Sequence, residues 1–158
     1  MSREFKKGEL LSLMISLATR LHEGQFDFQG MPYILHPLKV MHYLKTTDEE
    51  LMCIAVGHDL LEDTTVTVKE LQEQFTQRIA SAIHLLSRPK FLSYDEYIEH
   101  NVCSSVDALK VKLADLRHNS DIRRLKGIGP KDAERLDRYA KAYIKIKSKL
   151  SEIYPNIF

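Results

Sequence analysis

Four ionisable side chains fall within the short segment 58–63, which follows an apolar run. Helical spacing would place His58, Asp59, Glu62 and Asp63 on one side of a helix. Crowded, inward-facing carboxylates repel one another and lose solvation, so they need a compensating cation such as a divalent metal. The alternative interpretation is a solvated acidic helix end beside one histidine of the core.

Two other places in the chain carry residues that could complete such a site. Asp115 lies beside the apolar stripe of another expected helix, where it needs either a metal or a salt bridge. Lys112 and Arg117 are its candidate partners for that salt bridge. His36 precedes a proline at which a helix is expected to begin, and it is either a metal ligand or the cap of that helix.

Together these segments supply two imidazoles and two aspartates, which are His36, His58, Asp59 and Asp115. A mixture of nitrogen and oxygen donors without a thiolate suits Mn²⁺, Fe²⁺ or Zn²⁺ better than Ca²⁺. The sequence therefore predicts one divalent metal ion, and the donor types leave its identity open among these three.

Helix signals dominate the rest of the chain. Capping boxes are expected to open helices at Thr47, Thr67 and Ser93, and Ser104 with Asp107 follows the same logic. Pro130 marks the start of a last helix, and the only long irregular stretch runs from residue 24 to residue 34. Strand signals are sparse, so the pattern predicts an all-α protein.

The bulk properties narrow the class of protein. A length of 158 residues indicates one domain, residues 1–158, with one core. The net charge of +1 gives no basic field of the kind that nucleic acid or a membrane surface would need. Cys53 and Cys103 form no CxxC pair and indicate a reduced, cytoplasmic protein. The aromatic residues leave room for a homo-oligomer.

Four segments, in order along the chain, resemble the hydrolase domain of RelA/SpoT proteins, within the HD phosphohydrolase superfamily. That domain also occurs alone in small alarmone hydrolases and in the metazoan SpoT homologue. The segments are Ala18-Thr19-Arg20-Leu21-His22-Glu23-Gly24-Gln25, Gly30-Met31-Pro32-Tyr33-Ile34-Leu35-His36-Pro37, His58-Asp59-Leu60-Leu61-Glu62-Asp63-Thr64 and Val111-Lys112-Leu113-Ala114-Asp115 with Asn119. Four ordered motifs are far more specific than a single His-Asp pair.

The resemblance implies an HD-domain helical bundle of about seven to nine helices, a bound Mn²⁺ and hydrolysis of the 3′-pyrophosphate of guanosine tetraphosphate (ppGpp). It implies the metal ligands His36, His58, Asp59 and Asp115. It also implies that Glu62 and Asp63 orient or deprotonate the attacking water. On the substrate side it implies Asn119 near the nucleoside and, more weakly, Tyr139, while Lys112 is a candidate contact for phosphate. Other histidines, His22, His42, His84 and His100, receive no role and are expected to tolerate substitution.

One departure from the family pattern leaves the substrate open. This chain has Phe26-Asp27-Phe28-Gln29 where the substrate-binding members carry basic residues. A second hypothesis is therefore an HD hydrolase of another nucleotide, such as a deoxynucleotide phosphohydrolase or an NADPH phosphatase. A third is a non-catalytic HD module that binds a nucleotide, although the ligand set and the acidic pair are intact.

Overall fold

The computed structural model describes residues 4–156, and within that range the chain forms nine α-helices and two short 3₁₀ turns. The helices are α1 (Glu9–Leu21), α2 (Leu35–Tyr43), α3 (Glu49–Gly57), α4 (Leu60–Asp63), α5 (Val68–Gln74), α6 (Gln77–Leu86), α7 (Tyr94–His100), α8 (Val106–Asn119) and α9 (Pro130–Ile153). No β-strand occurs among these residues, where one isolated bridge joins Phe26 to Pro32. The prediction of an all-α bundle is confirmed.

Side-chain caps explain most of the helix starts. Thr67 and Ser93 form the expected capping boxes with the glutamates three residues later. Two caps lie one residue later than the sequence pattern predicts. Asp48 caps α3, because its carboxylate accepts from the N–H of residue 51, and Ser105 caps α8 because its hydroxyl accepts from the N–H of residue 108.

Helix α3 forms the centre of the core. It packs against α1, α2, α6 and α8, and its last five residues, Cys53 to Gly57, are all buried. A Cβ atom at Gly57 would lie 2.6 Å from Cδ1 of Ile83 on α6 and 3.0 Å from Sδ of Met14 on α1. Only glycine permits this close approach, which fixes the position of the residue that follows it, His58.

Two helix boundaries differ from the expectation, and both affect the candidate site. Helix α3 ends at Gly57, so His58 and Asp59 form a turn before the short α4 instead of continuing one helix. Helix α2 begins at Leu35 and includes His36 in its first turn, where the N–H of His36 donates to the carbonyl of Tyr33. The proline at 37 is compatible with this start, because the first helical N–H groups have no partner within the helix.

None of the helices formed by the described residues is both long enough and apolar enough to cross a membrane.

Candidate metal centre

Four side chains from three places in the chain converge on one point in the core. Nε2 of His36 lies 3.1 Å from Oδ1 of Asp115 and 3.5 Å from Oδ2 of Asp59. Nε2 of His58 lies 3.0 Å from Oδ2 of Asp59 and 3.5 Å from Oδ1 of Asp115. Helix α2, the turn after α3 and helix α8 each contribute to this His/Asp cluster, which is the set of ligands that the sequence predicts.

The backbone fixes the orientation of the His58 ring. Nδ1 of His58 lies 2.7 Å from the carbonyl oxygen of Ala55, so that nitrogen carries the proton and donates it. Nε2 therefore faces the centre of the cluster, where it makes no hydrogen bond within the described chain although it is buried. An imidazole held in this way by a backbone carbonyl is typical of metal-binding histidines.

The His36 ring is held by a second imidazole. Nδ1 of His36 lies 2.7 Å from Nδ1 of His118, and the two rings stack with centroids 4.9 Å apart. Burial, together with the positive charges of Arg124 and His36, lowers the pKa of His118 to about 4, so His118 is neutral near pH 7. One of the two Nδ1 atoms carries the proton of this bond, and the bond holds the His36 ring with its Nε2 facing the cluster.

Opposite charges stabilise one another inside the cluster. Burial lowers the pKa of His58, but the carboxylates of Asp59 and Asp115 outweigh burial and hold that pKa well above its ordinary value. Burial raises the pKa of Asp115, but the Lys112 cation and the two imidazoles outweigh it and hold that pKa well below its ordinary value. The carboxylates thus stay ionised although they are buried, and positive charge placed among them is stabilised.

Each carboxylate has a further partner that orients it. The hydroxyl of Tyr33 donates to Oδ2 of Asp59 at 2.6 Å. Asp115 accepts from Nδ2 of Asn119 at 2.6 Å and from Nζ of Lys112 at 2.8 Å. The salt bridge between Lys112 and Asp115, which the sequence offered as an alternative to a metal, is therefore present. It uses Oδ2 of Asp115 and leaves Oδ1 facing the two imidazoles.

These residues fit a divalent metal ion. His36, His58 and Asp115 each offer one ligand atom, all within 4.8 Å of one another, and Oδ2 of Asp59 borders both imidazoles. Nε2 of His58 is buried beside the two carboxylates but makes no hydrogen bond with any described residue, and this favours a cation here, because a buried polar atom without a hydrogen bond is costly. Two imidazoles and two carboxylates suit a transition metal ion, which would take the place of a proton on each Nε2.

The acidic pair lies at the edge of the cluster. Oε1 of Glu62 accepts a hydrogen bond from the N–H of Arg88, and the side chains of Glu62 and Asp63 are both exposed. The surrounding protein nonetheless removes part of their hydration, and this raises the pKa of both carboxyl groups, helped by the nearby charge of Asp59. A carboxylate with a raised pKa is a better proton acceptor near neutral pH.

One cleft borders the cluster, and a second borders the acidic pair. The first, here called the aromatic cleft, has a volume of about 350 Å³ and is lined by Phe26, Phe28, Tyr33, His36, Asn119 and Tyr139, together with charged residues described below. The second, here called the acidic-pair cleft, has a volume of about 810 Å³, and its lining includes Glu62, Asp63, Arg88, Lys90 and Phe91. A ligand in the aromatic cleft would therefore border His36 of the cluster, and a ligand in the acidic-pair cleft would border Glu62 and Asp63.

The residues predicted to bind substrate divide between two environments. Asn119 and Tyr139 both line the aromatic cleft beside His36. Lys112 does not line it, because its ammonium group lies against Asp115 and over the rings of Tyr94 and Tyr97. A contact between Lys112 and substrate phosphate stays a prediction.

Sequence reasoning assigned no role to several residues that support the site. Tyr33 and His118 orient candidate ligands. Tyr33 lies inside a motif segment and His118 directly precedes Asn119, so their positions in the sequence were a usable signal. His22 was expected to tolerate substitution, but it is only 3% exposed, its Nδ1 lies 2.8 Å from Oε1 of Gln25 and its ring packs 4.9 Å from that of Tyr33. Its place at the end of an apolar helix stripe was the signal that it is buried.

Comparison with known proteins identifies the family of this chain. The family described as "HD domain" matches residues 15–123. The guanosine-3′,5′-bis(diphosphate) 3′-pyrophosphohydrolase of Haemophilus influenzae is 32% identical over 132 residues, which are 76% of this chain and 19% of that protein. The zebrafish (Danio rerio) enzyme MESH1, which carries the same activity in its name, is 33% identical over 137 residues, covering 79% of this chain and 75% of MESH1.

A solved structure shares the fold. A metazoan orthologue of SpoT, described as hydrolysing ppGpp, superposes with a TM-score of 0.74 and 22% sequence identity over 97% of each chain. This chain spans about a fifth of the length of the long bacterial relatives and three quarters of MESH1. With the HD-domain family matching more than half of its residues, and with the His/Asp cluster in place, this chain belongs to the HD-domain family.

Proposed function

We propose that this chain is a metal-dependent phosphohydrolase that removes pyrophosphate from the 3′ position of ppGpp. The observation that carries the proposal is the convergence of His36, His58, Asp59 and Asp115 around a buried imidazole nitrogen that makes no hydrogen bond to the described part of the chain. The naming of several relatives for this reaction, among them MESH1 at similar length, supports ppGpp as the substrate.

The cluster would hold one divalent cation, for which we propose Mn²⁺, with Fe²⁺ or Zn²⁺ as alternatives. Such an ion would lower the pKa of a water molecule and neutralise charge on the phosphate under attack. Tyr33, His118 and Asn119 would hold the ligands in place through the hydrogen bonds described above.

The acidic pair would handle the proton of the attacking water. We assign Glu62 as general base, because its raised pKa suits proton transfer near neutral pH and its carboxylate borders the acidic-pair cleft. The hydrogen bond from the N–H of Arg88 to Oε1 would hold that carboxylate while its other oxygen accepts the proton. Asp63, whose backbone carbonyl accepts from Nε2 of Gln25, would orient the water.

The wider setting is part of the same proposal. Residues 1–158 would work as one phosphohydrolase domain, because the buried residues of the described chain form one hydrophobic cluster. We place the protein in the cytoplasm, since Cys53 and Cys103 are free thiols. Its partner would be a small nucleotide, with no role for nucleic acid or a membrane and with a homo-oligomer left as a hypothesis.

The test is a hydrolysis screen of the purified protein with Mn²⁺ on ppGpp, deoxynucleoside triphosphates, nucleoside monophosphates and NADPH. We expect pyrophosphate release from ppGpp, and we expect the Asp59→Ala variant to abolish it. Turnover of another nucleotide alone would overturn the assignment of substrate. Stoichiometric metal without turnover of any nucleotide would overturn the assignment as an enzyme and favour the binding module.

A further inference from the structure

The loop between α1 and α2 presents two phenylalanine rings at the aromatic cleft. Phe26 is 64% exposed and Phe28 is 67% exposed. Scattered exposed apolar residues are common, but these two line the same cavity as His36 of the cluster and as Asn119. A ligand that fills the cavity beside the cluster would therefore cover aromatic surface that water otherwise wets.

The charges of this cleft are already balanced by neighbouring side chains. Nη2 of Arg124 lies 3.6 Å from Oδ2 of Asp27, and Nη2 of Arg135 lies 2.7 Å from Oδ1 of Asp132. The Asp27 carboxylate also accepts from the N–H groups of residues 29 and 31, which keeps its pKa low and the group ionised, against the opposing effect of burial. The cleft therefore has little unbalanced positive charge for a phosphate.

The aromatic rings and the guanidinium group of this cleft offer a ligand stacking contacts in place of ion pairs. The guanidinium of Arg135 lies 5.0 Å from the centre of the Phe28 ring, and Tyr139 follows Arg135 by one turn of α9 and lines the same cavity. Every nucleobase has a π face, and stacking on aromatic and guanidinium planes binds bases without reading their edges.

We propose that the aromatic cleft holds the nucleobase of the substrate by stacking on Phe28, with the phosphates directed toward the His/Asp cluster. This inference rests on the proposed function and adds how the same site recognises its nucleotide. Recognition of the base then depends on aromatic contact and not on ion pairs, so the contribution of Phe28 to binding changes little with salt. Purine nucleotides, which have the larger stacking surface, are the expected class.

The chain contains no tryptophan, so a Phe28→Trp variant carries a single tryptophan, which can be excited selectively at the proposed contact. We expect guanosine and GDP to quench its emission to saturation and inorganic pyrophosphate to leave it unchanged. The matched control is Ile144→Trp, because Ile144 on α9 is 68% exposed and lines neither cleft. Equal quenching in both variants, or a response to pyrophosphate alone, would overturn the proposal.

Binding to Phe28→Ala, measured by equilibrium dialysis with GDP, supplies a second test that needs no turnover. Loss of one base-stacking contact is expected to weaken affinity by about 5- to 150-fold, and Phe28→Tyr should restore it. In hydrolysis the same change should raise KM and leave kcat nearly unchanged.

The two proposals fail in different ways. If ppGpp is not hydrolysed but GDP still quenches Phe28→Trp, the proposed reaction fails and the stacking site stands. If Phe28→Ala hydrolyses ppGpp with an unchanged KM, the stacking site fails and the reaction stands. Emission of Phe28→Trp that depends on protein concentration and not on nucleotide would assign this ring to contact with a second copy, and it would also overturn the proposal.

Discussion

The His/Asp cluster and the aromatic cleft share His36 but are built in opposite ways. In the cluster, the side chains of His36, His58 and Asp115 are at most 4% exposed and each has a partner that fixes its orientation. In the cleft, the two phenylalanines are mostly exposed, and the only regular structure among the described residues of their loop is one isolated β-bridge between Phe26 and Pro32.

This difference has a physical cause. Buried charges are tolerated only when their number, sign and orientation compensate, so replacing one member affects all the others. Exposed rings on a loop obey no such constraint, and the residues there can change while the fold persists. We therefore expect the chemistry of this protein to depend on the cluster and its choice of substrate to depend on the cleft.

The largest effect should come from removing a member of the cluster. Asp115→Ala leaves Lys112 buried without its anion and removes one ligand, so we expect loss of metal and of hydrolysis, and a cost of about 3–5 kcal/mol in the free energy of unfolding. Metal analysis, activity and urea unfolding measure these three quantities. Glu134→Ala, an exposed acid on α9, is the control and should change none of them. Retained metal in Asp115→Ala would contradict the ligand assignment.

The next effect separates chemistry from metal binding. Glu62→Gln keeps the shape of the side chain but removes its capacity to accept a proton, so we expect full metal content and a decrease in kcat of about 10²- to 10⁴-fold. Single-turnover hydrolysis beside metal analysis measures this. Normal turnover in Glu62→Gln would show that Glu62 is not the general base.

The raised pKa of Glu62 predicts the acid limb of the pH profile. A general base acts when it is deprotonated, so kcat should decrease as the pH falls through the pKa of Glu62. Partial desolvation raises this pKa above 4.5, so the decrease should begin above the range of a freely hydrated glutamate. Profiles of kcat for the wild type and for Glu62→Gln test this, and an unchanged acid limb in the variant would assign the limb to another group.

The smallest expected effect comes from His22, which packs against the site but is not a candidate metal ligand. His22→Ala should lower the free energy of unfolding by about 2 kcal/mol, because it removes a buried ring that packs on Tyr33 and bonds Gln25. His100→Ala, on an exposed position of α7, is the matched control and should stay within about 0.5 kcal/mol of wild type. Urea unfolding measures both, and a free energy of unfolding of His22→Ala equal to that of the wild type would contradict the stabilising role of the His22 ring.

The sequence predicted the all-α fold and the set of side chains that converge. The helices follow from local patterns of apolar residues and caps, which act over three or four residues. The candidate ligands were predictable because ionisable residues at inward-facing positions require compensation wherever the chain places them. The structure brings His36, His58, Asp59 and Asp115 together as expected, and their roles as ligands stay a prediction for metal analysis.

Tertiary structure alone decided the contacts between distant segments. The pairing of His36 with His118 joins residues on α2 and α8, and the neutralisation of Arg124 by Asp27 joins the loop before α2 to the segment before α9. The close packing of Gly57 against Ile83 on α6 also depends on tertiary structure, and it lies directly before the turn that carries His58 into the cluster. Local patterns determine which residues are helical and which must be compensated, whereas the partner that compensates each charge depends on how the helices pack, because that partner lies far away in the chain.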